Sequence, residues 1–519
     1  MTNTVTEMGL YAQLQTQATV NPDKTALVID DQRVSFLELN TMAGQIAAGL
    51  YQMGVRKGDR IALLMPSSIE WMTVFWGIQM LGAICVPMAP GEGREEITNI
   101  FELAEVKVCF AVRRFQVNEF ENLFRDLTGQ LPSLQRVIIT GPRICDPFIQ
   151  DFRAFRENAG NWHPAMAPEL QPSDTYALMA TSGTTGVPRL IPKQHGSNLA
   201  YLKAYLAQYP ISPNDVFMSA MPPFHMLSLS YLLICMMKGA TIIYQSFFDP
   251  EAMLHVIESE RASIVLLSAT NAKMMMSDPA FSTADLSSIE TFMFSGEFLP
   301  DEVADHFYKS RPHRVMNIVG STEASAYLIW DSQRDNGMSV SALTPLTCVE
   351  TSLMNVDGNP CKVGERAEIF VSHGDILSEY YRNPEATRLS IVASNTGRNW
   401  FKTGDLAIPR PDGRYQFAGR IKRIIKRGAT LIYPEEIECF LMTHPDISAA
   451  AIIKESDEMA GETMKAFVEV KRGAKLTPID VVQFCQGRLA SIKIPQHIIV
   501  VDELPRETGK IQLKKLKEA

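Results

Sequence analysis

The sequence predicts an α/β protein with a large N-terminal body of several subdomains and a small, mobile C-terminal α/β domain. Up to about residue 320, short β-branched segments alternate with longer helical patterns, which is typical of strands joined by packed helices in mixed or parallel sheets. From about residue 341 to 415, short segments separated by Asp-Gly and Asn-Pro turns indicate a smaller β unit. After Gly419 the composition shifts to lysine and arginine, which marks the start of the second domain.

The strands of the N-terminal body are predicted where apolar residues run without alternation, because strands buried on both faces of a parallel sheet have no polar side. These segments are residues 60–65, 108–112, 136–140, 241–244 and 263–267. The β unit is predicted to contain strands at 367–371 and 413–417, and the C-terminal domain a helix at 434–443 with strands at 450–454 and 466–470.

The length of the chain requires more than one structural unit. Single hydrophobic cores stop growing near roughly 250–300 residues, and this chain has 519. We therefore predict two domains, one at 1–418 and one at 419–519.

Charge and composition exclude several classes of partner. The net charge is -9 and no basic run occurs, which argues against nucleic acid or an anionic membrane as a partner. The eight cysteines include no C-x-x-C pair, which argues against a zinc site or a disulfide framework and suits a reducing cytoplasm.

No segment has the pattern of a signal peptide or of a membrane span. Residues 1–8 lack a basic start and an apolar core. The longest apolar run, at 231–237, is far shorter than the roughly 18 residues of a transmembrane helix. We expect a buried helix at 231–237 and a cytoplasmic protein.

A loop rich in hydroxyls and glycines is the first sign of chemistry. It reads TSGTTGVPR at residues 181–189, directly after an apolar strand pattern at 176–180. Glycines let a backbone approach a ligand closely, and hydroxyls with exposed N–H groups can surround an oxyanion such as a phosphate. The loop is not a Walker A motif.

Four further motifs follow in order: VGSTE at 319–323, FKTGD at 401–405, GRIK at 419–422 and ELPRETGK at 503–510. Together with the first loop, they closely resemble the adenylate-forming superfamily of acyl- and aryl-CoA synthetases, nonribosomal-peptide adenylation domains and luciferases. The resemblance runs from VSFLELN at 34–40 to the last lysines and is strongest to stand-alone acyl and aryl acid ligases. It implies an enzyme that uses ATP and Mg²⁺ to form an acyl-AMP, releases pyrophosphate and then makes a thioester.

The resemblance also assigns roles to residues. Glu323 would bind Mg²⁺, with Thr185 as a second metal contact, Thr322 would contact the α-phosphate, and Lys510 would lie on the oxygens between the acid and that phosphate. The loop residues Thr181, Ser182, Gly183, Thr184, Thr185 and Gly186 would surround the β- and γ-phosphates. Nucleotide contacts are also implied for Asn317, Ile318, Val319, Asp405, Phe417 and Arg420, with Asp405 on the ribose hydroxyls, since a carboxylate can accept two hydrogen bonds from a diol.

Two positions depart from the family pattern. Val319 stands where a tyrosine or phenylalanine usually stacks on adenine, so the stacking partner is open. Arg189 replaces the usual lysine and keeps its charge, although the two side chains are not equivalent.

The acid pocket is implied near MPPFHMLS at 221–228, with Phe224 and His225, and near FSGEFL at 294–299. Its implied members are Phe224, His225, Ser295, Gly296, Glu297, Phe298, Gly320 and Ser321. Members that activate amino acids carry aspartate where this chain has His225, because a buried ammonium needs a paired carboxylate. The sequence therefore favours a compact aryl or short aliphatic acid, with His225 closing the pocket, approaching the carboxylate, or simply packing in the core.

The thiol acceptor stays open at this stage, because coenzyme A and the phosphopantetheine arm of a carrier protein present the same thiol. Two alternatives of another kind are a non-catalytic nucleotide-binding paralogue and a luciferase-type oxygenase; Lys510 and Glu323 argue against the first. The resemblance makes 1–418 the domain that binds ATP and the acid, and 419–519 the mobile domain that carries the catalytic Lys510. It places a hinge at Lys422 and the thiol tunnel at Gly428.

Overall fold

The computed structural model describes most of the chain. The described residues are 9–116, 118–141, 148–181, 188–297, 299–310, 313–335, 337–355, 360–393, 398–427, 430–457, 461–486, 488–489, 491–507 and 510–517. All structural statements below concern these residues.

The largest sheet has 14 strands in the described part of the chain and is mixed. Its six central strands are mutually parallel, and the strands beyond them on both sides are antiparallel. From edge to edge the order is Glu350–Met354, Ala367–Ser372, Asn399–Pro409, Tyr415–Arg420, Ala342–Pro345, Ser325–Asp331, Arg314–Ser321, Thr291–Ser295, Ile264–Leu267, Val216–Ser219, Thr241–Tyr244, Thr25–Ile29 and Gln32–Ser35, with Ile391–Ala393 beside Asn399–Pro409.

A second sheet of the N-terminal body has seven described strands. Its order is Arg189–Gln194, Thr175–Thr181, Ile84–Pro87, Arg60–Leu64, Val108–Val112, Arg136–Thr140 and Ile149–Asp151. All its pairings are parallel except that of Thr175–Thr181 with Arg189–Gln194. The loop that resembles a phosphate site joins these two antiparallel strands.

The C-terminal domain has its own sheet and apolar core. The described strands are Thr430–Ile432, Ile425–Arg427, Gly461–Val470 and Ile447–Asp457, with His497–Val501 parallel to Gly461–Val470. Two small hairpins complete the strands: Arg114–Phe115 with Asn118–Glu119, and Arg506–Glu507 with Lys510–Ile511. Ile425, Ile437 and Leu441 are fully buried in the core of this domain.

Helices cover the sheets. The described α-helices are Leu10–Val20, Phe36–Gln52, Ile69–Met80, Arg94–Ala104, Phe120–Asp126, Phe152–Asn158, His195–Gln208, Met226–Lys238, Pro250–Glu260, Ala269–Ser277, Asp301–Ser310, Pro384–Ser390, Pro434–Met442, Pro478–Cys485 and Leu513–Lys517. Short 3₁₀ turns lie at Pro164–Met166, Pro279–Ser282, Ile421–Arg423 and Ser491–Lys493.

Local sequence explains where two of these helices begin or end. Ser35 and Glu38 form a capping box that starts Phe36–Gln52, with each side chain accepting a hydrogen bond from the other's backbone N–H. The apolar helix Met226–Lys238 ends at Gly239, whose φ of 72° is left-handed and favours glycine. This confirms the predicted buried helix at 231–237.

The predicted α/β class with a large body and a small C-terminal domain is confirmed. The apolar runs are the buried parallel strands of the two large sheets, and the predicted C-terminal helix and strands are present with somewhat different ends. The strand Tyr415–Arg420 continues two residues beyond the proposed limit at 418, so the limit itself stays a prediction. No described helix is long and apolar enough to cross a bilayer.

Candidate functional site

The VGSTE motif at 319–323, which contains Glu323, lies on a β-hairpin. The strands Arg314–Ser321 and Ser325–Asp331 pair in antiparallel fashion, and the turn between them contains Thr322 and Glu323. The neighbouring parallel strand Thr291–Ser295 ends at the same edge, where Ser295 Oγ donates a 2.7 Å hydrogen bond to the carbonyl of Ile318. The predicted pocket segment at 294–299 therefore meets the strand that leads into the VGSTE motif.

Glycine is required at the base of this turn. A Cβ added to Gly320 would lie 2.3 Å from the carbonyl oxygen of Ser325 and 2.9 Å from the Cα of Ala326. The ladder shifts its register between Val319 and Gly320. Only glycine lets the two strands approach closely enough to present the turn.

A cavity of about 930 Å³, including its open mouth, lies beside the turn. It extends between the helices His195–Gln208 and Met226–Lys238. Its lining consists of Tyr201, Leu202, Tyr205, Met221, His225, Met226, Leu227, Ser230, Tyr231, Ile234, Ser268, Ser295, Gly296, Ile318, Gly320, Ser321, Thr322, Ser325 and Ala326. None of these described residues is Asp, Glu, Lys or Arg.

Five of the residues predicted for the acid pocket line this cavity, namely His225, Ser295, Gly296, Gly320 and Ser321. Phe224 is buried against His225, with ring centres 4.9 Å apart, and is not among the described lining residues. Glu297 is not among them either, because its carboxylate accepts hydrogen bonds from Thr270 N and Oγ1 at 2.9 and 3.0 Å. Phe298 lies outside the described residues.

The sequence did not indicate the tyrosines of the cavity. Tyr205 and Tyr231 share a 2.8 Å hydrogen bond between hydroxyls, and the Tyr201 hydroxyl bonds both backbone groups of Ala326. With these polar atoms partnered, the tyrosines present mainly ring surface to the cavity. The spacing of Tyr201, Tyr205 and Tyr209 by four residues was the available signal, since such residues share one helix face.

Asp405 is buried and has two side-chain partners, the buried Tyr327 and the half-exposed Arg420. It is 2% exposed, and its carboxylate accepts hydrogen bonds from the Tyr327 hydroxyl and the Arg420 guanidinium. The Asp405 charge raises the pKa of Arg420, and burial followed by Asp405 raises the pKa of Tyr327. The structure thus brings two predicted nucleotide residues together and adds Tyr327, which the sequence did not indicate.

Glu323 has a partner that sequence reasoning also missed. The Tyr380 hydroxyl donates a 3.0 Å hydrogen bond to Oε1 of Glu323. Burial, and then the charge of Glu323, raise the pKa of Tyr380 to about 12. The Arg189 guanidinium lies 5.1 Å from the centre of the Tyr380 ring, which joins the first motif to the second. The signal was the Tyr-Tyr-Arg-Asn-Pro-Glu segment at 380–385, which no motif assignment used.

The other residues predicted to contact the nucleotide lie on the strand that leads into the Glu323 turn and on the strand Tyr415–Arg420. Asn317 is buried and donates a 3.0 Å hydrogen bond to the Val340 carbonyl, whereas Ile318 lines the cavity. Val319 is half-buried against the core, and the half-buried Phe417 donates its backbone N–H to the Ser341 carbonyl. Their roles toward adenine stay predictions.

The structure describes only the two ends of the predicted phosphate loop. Thr181 closes one strand and pairs in the sheet with Arg189. Ser182, Gly183, Thr184, Thr185 and Gly186 lie outside the described residues, and their assignments stay predictions.

The C-terminal domain approaches the site through Lys422. This exposed residue lies in the 3₁₀ turn Ile421–Arg423, and its pKa is lowered by partial burial and by the positive charges of Arg189 and Arg420, while Glu323 acts in the opposite direction. In the backbone pairing of the last hairpin, residue 510 lies opposite residue 507. The proposed catalytic Lys510 is therefore placed on this hairpin. Gly428 lies outside the described residues.

Comparison with known proteins gives matches over nearly the whole chain. The family model described as AMP-binding enzyme matches residues 14–381, and that of the AMP-binding enzyme C-terminal domain matches residues 436–510. A feruloyl-CoA synthase of an Amycolatopsis species is 29% identical over 512 residues, covering 97% of each chain. A medium-chain acyl-CoA ligase of Danio rerio is 28% identical over 534 residues, covering 97% of this chain and 87% of that protein.

A solved structure of the anthranilate CoA ligase AuaEII in complex with anthranoyl-AMP has the same fold. The TM-score is 0.85 at 24% identity, with 98% of this chain and 96% of that chain covered.

Proposed function

The chain belongs to the AMP-binding enzyme family, and on that premise we propose that it activates a compact aryl or short aliphatic acid with ATP and transfers the acyl group to coenzyme A. The resemblance seen in the motifs is confirmed by the family match. The chain is an AMP-forming acid–thiol ligase. The identity of the acid, the choice of thiol and the residue roles below are the proposal.

The cavity beside Thr322 is the observation that carries the choice of acid. It is apolar along both helices, where Leu202, Met226 and Ile234 lie, and it reaches the predicted catalytic turn at Ser321 and Thr322. Ligand pockets of this kind hold an apolar body and orient it with a few polar groups. An aryl or aliphatic acid fits, with its carboxylate toward the turn.

An α-amino acid is disfavoured by the same lining. A buried ammonium without a carboxylate partner is very costly. The described lining contains no aspartate or glutamate, and Glu297 is engaged with Thr270. The names of the two relatives, a feruloyl-CoA synthase and a medium-chain acyl-CoA ligase, likewise name no α-amino acid.

We assign the nucleotide to the edge formed by Thr322, Glu323 and Asp405. The Asp405 carboxylate would accept hydrogen bonds from the ribose hydroxyls, and its pairing with Tyr327 and Arg420 fixes its orientation. Thr322 would donate to the α-phosphate. Attack by the substrate carboxylate on that phosphorus forms the acyl-AMP and releases pyrophosphate, a transfer that depends mainly on positioning and charge stabilisation.

The residues present fit a magnesium ion that arrives with the nucleotide. Mg²⁺ in such sites is bound through one or two carboxylates together with phosphate oxygens and water. The described residues include no cluster of three or more metal-ligating side chains, and Glu323 supplies one oriented carboxylate. When bound, the ion would neutralise charge on the phosphates; Glu323 would hold it, with Thr185 as the second proposed contact.

A pyrophosphate-release screen tests the proposal. Purified protein with ATP and Mg²⁺ is offered benzoate-type acids, short and medium aliphatic acids and α-amino acids, each with and without coenzyme A. We expect release with the aryl or short aliphatic acids and acyl-CoA when coenzyme A is present. Preference for amino acids would reject the acid assignment. Thioester formation only on an added phosphopantetheinylated carrier protein would reject coenzyme A as the acceptor.

A further inference from the structure

A buried ion pair lies behind the Glu323 turn. Lys193 Nζ is 3.1 Å from Oδ2 of Asp375, and the two side chains are 2% and 1% exposed. Asp375 also accepts hydrogen bonds from Ser325 Oγ at 2.8 Å, Asn198 Nδ2 at 3.1 Å and Ser197 Oγ at 3.2 Å. Such a charge is retained in a core only when it is fully paired.

The segment that carries Asp375 holds the turn at successive points. His373 Nε2 bonds the Ala324 carbonyl at 2.9 Å, the Leu377 N–H donates to the Glu323 carbonyl at 2.7 Å, and the Tyr380 hydroxyl donates to the Glu323 carboxylate. Asp375 N–H donates to His373 Nδ1, which leaves the proton of this neutral ring on Nε2, toward Ala324.

The bond from Ser325 to Asp375 acts where the turn is most strained. Ser325 closes the turn with φ of 52°, a left-handed conformation that residues other than glycine seldom adopt. It is buried and lines the cavity. A strained residue keeps such a conformation only when its surroundings fix it, and Asp375 provides that fixation.

We propose that Asp375, paired with Lys193, is a positioning residue that fixes the turn 321–325 and thereby the Glu323 carboxylate for nucleotide with its metal. The inference rests on the proposed function, since Glu323 receives its role there. Asp375 does not contact the substrate; it acts through Ser325 and through the segment that bonds Ala324 and Glu323. Loss of an outer partner of a metal-binding group typically lowers affinity or activity by roughly 10–100-fold.

The same hairpin offers a matched control. At its other end, Arg314 and Asp331 form a bidentate ion pair with bonds of 3.1 and 2.6 Å. The Asp331 side chain is 6% exposed, so it too is largely buried. Asp331→Asn thus weakens a buried ion pair of the same two strands without touching the turn.

The experiment measures binding of ATP with Mg²⁺ by calorimetry in the wild type and in Asp375→Asn, Asp331→Asn, Glu323→Gln and the Asp375→Asn/Glu323→Gln double variant, with Tm recorded for each. We expect Tm to fall in both Asp→Asn variants. Of these two variants, only Asp375→Asn should weaken binding, by about 10–100-fold. The double variant should bind no more weakly than Glu323→Gln, because the two residues act in series.

Two results would overturn the inference: Asp375→Asn binding like Asp331→Asn, or additive losses in the double variant. If Asp375→Asn does not fold, Ser325→Ala removes the hydroxyl bond to Asp375, together with the 3.4 Å bond that this hydroxyl accepts from Lys193. It should weaken binding in the same direction. Unchanged binding in Ser325→Ala would then overturn it. Absence of ATP binding by the folded wild type would instead reject the proposed nucleotide site, and this inference with it.

Discussion

The hydroxyl of Tyr380 donates a 3.0 Å hydrogen bond to the Glu323 carboxylate, although the two residues are 57 positions apart. The Tyr380 ring in turn lies under Arg189, the last residue of the TSGTTGVPR motif. The carboxylate that we assign to Mg²⁺ is therefore oriented by a side chain from the β unit and is linked through it to the first motif.

Tyr380→Phe tests this orientation. The ring and its stacking are kept while the donor is lost, so the Mg²⁺ concentration that supports half-maximal pyrophosphate release should rise, with a loss of activity of roughly 10–100-fold. Tyr381→Phe, at the adjacent half-buried tyrosine, is the control and should behave like the wild type.

Because the pKa of Tyr380 is raised to about 12, its proton is retained well above neutrality, and the ratio of wild-type to variant activity should stay constant from pH 7 to about 9. Equal Mg²⁺ dependence in the two variants would contradict the assignment.

Lys510→Ala tests the separation of the two half-reactions. Removing one preorganised charge contact typically costs on the order of 10²–10³ in rate, so acyl-AMP formation should fall by this factor. Thioester formation from supplied acyl-AMP should be much less affected, because charge no longer develops between the carboxylate and the phosphate. Lys514→Ala, at an exposed lysine of the last helix, provides the comparison. Equal damage to both half-reactions would show that Lys510 is structural or is used twice.

Lys422→Pro tests the proposed hinge. Proline fixes φ near about −65°, whereas a hinge must change its backbone angles so that Lys510 can withdraw and the thiol can approach. Pyrophosphate release should be largely retained and thioester formation suppressed. Lys422→Ala removes the same ammonium without restricting φ and should support thioester formation. Full thioester turnover by the folded Lys422→Pro variant would exclude a hinge at this residue.

We expect the buried side chain of His195 to make the folded protein less stable in acid. It is 1% exposed, its Nδ1 accepts the Leu10 N–H at 3.2 Å, and burial lowers its pKa to about 4. The unfolded value is about 6.5, so the folded state binds the proton less well. The contribution of neutral His195 to the free energy of unfolding is complete above pH 6.5 and is lost as the pH falls toward 4. Between pH 7.5 and pH 5 this loss amounts to about 2 kcal/mol.

The measurement is the free energy of unfolding in denaturant at several pH values for the wild type and His195→Phe. The variant loses a hydrogen-bond acceptor and should be less stable at pH 7.5, but its stability should fall less steeply toward pH 5. Parallel curves for the two proteins would show that another group causes the acid sensitivity.

The parallel strands of the N-terminal body could be predicted from the sequence alone. Runs such as Val108–Val112 and Thr241–Tyr244 are apolar throughout, and a strand covered on both faces needs that composition whatever its neighbours are. The family was also readable, because its five motifs are local and each lies within nine consecutive residues. The roles that we propose for Thr322, Glu323 and Asp405 rest on those motifs.

Other members of the site could be found only from tertiary structure. Tyr380 and Tyr327 belong to no motif that we assigned, yet they bond Glu323 and Asp405 across 57 and 78 positions. Glu297 shows the converse, since its place in a pocket motif suggested a lining role and the structure pairs it with Thr270 instead.

Local sequence determined which backbone segments are strands and helices, because those preferences depend on a residue and its near neighbours. Which side chains face each carboxylate depended on how the two large sheets and the β unit pack. Lys193 and Asp375, 182 positions apart, meet only because that packing buries both, and burial makes each charge require the other.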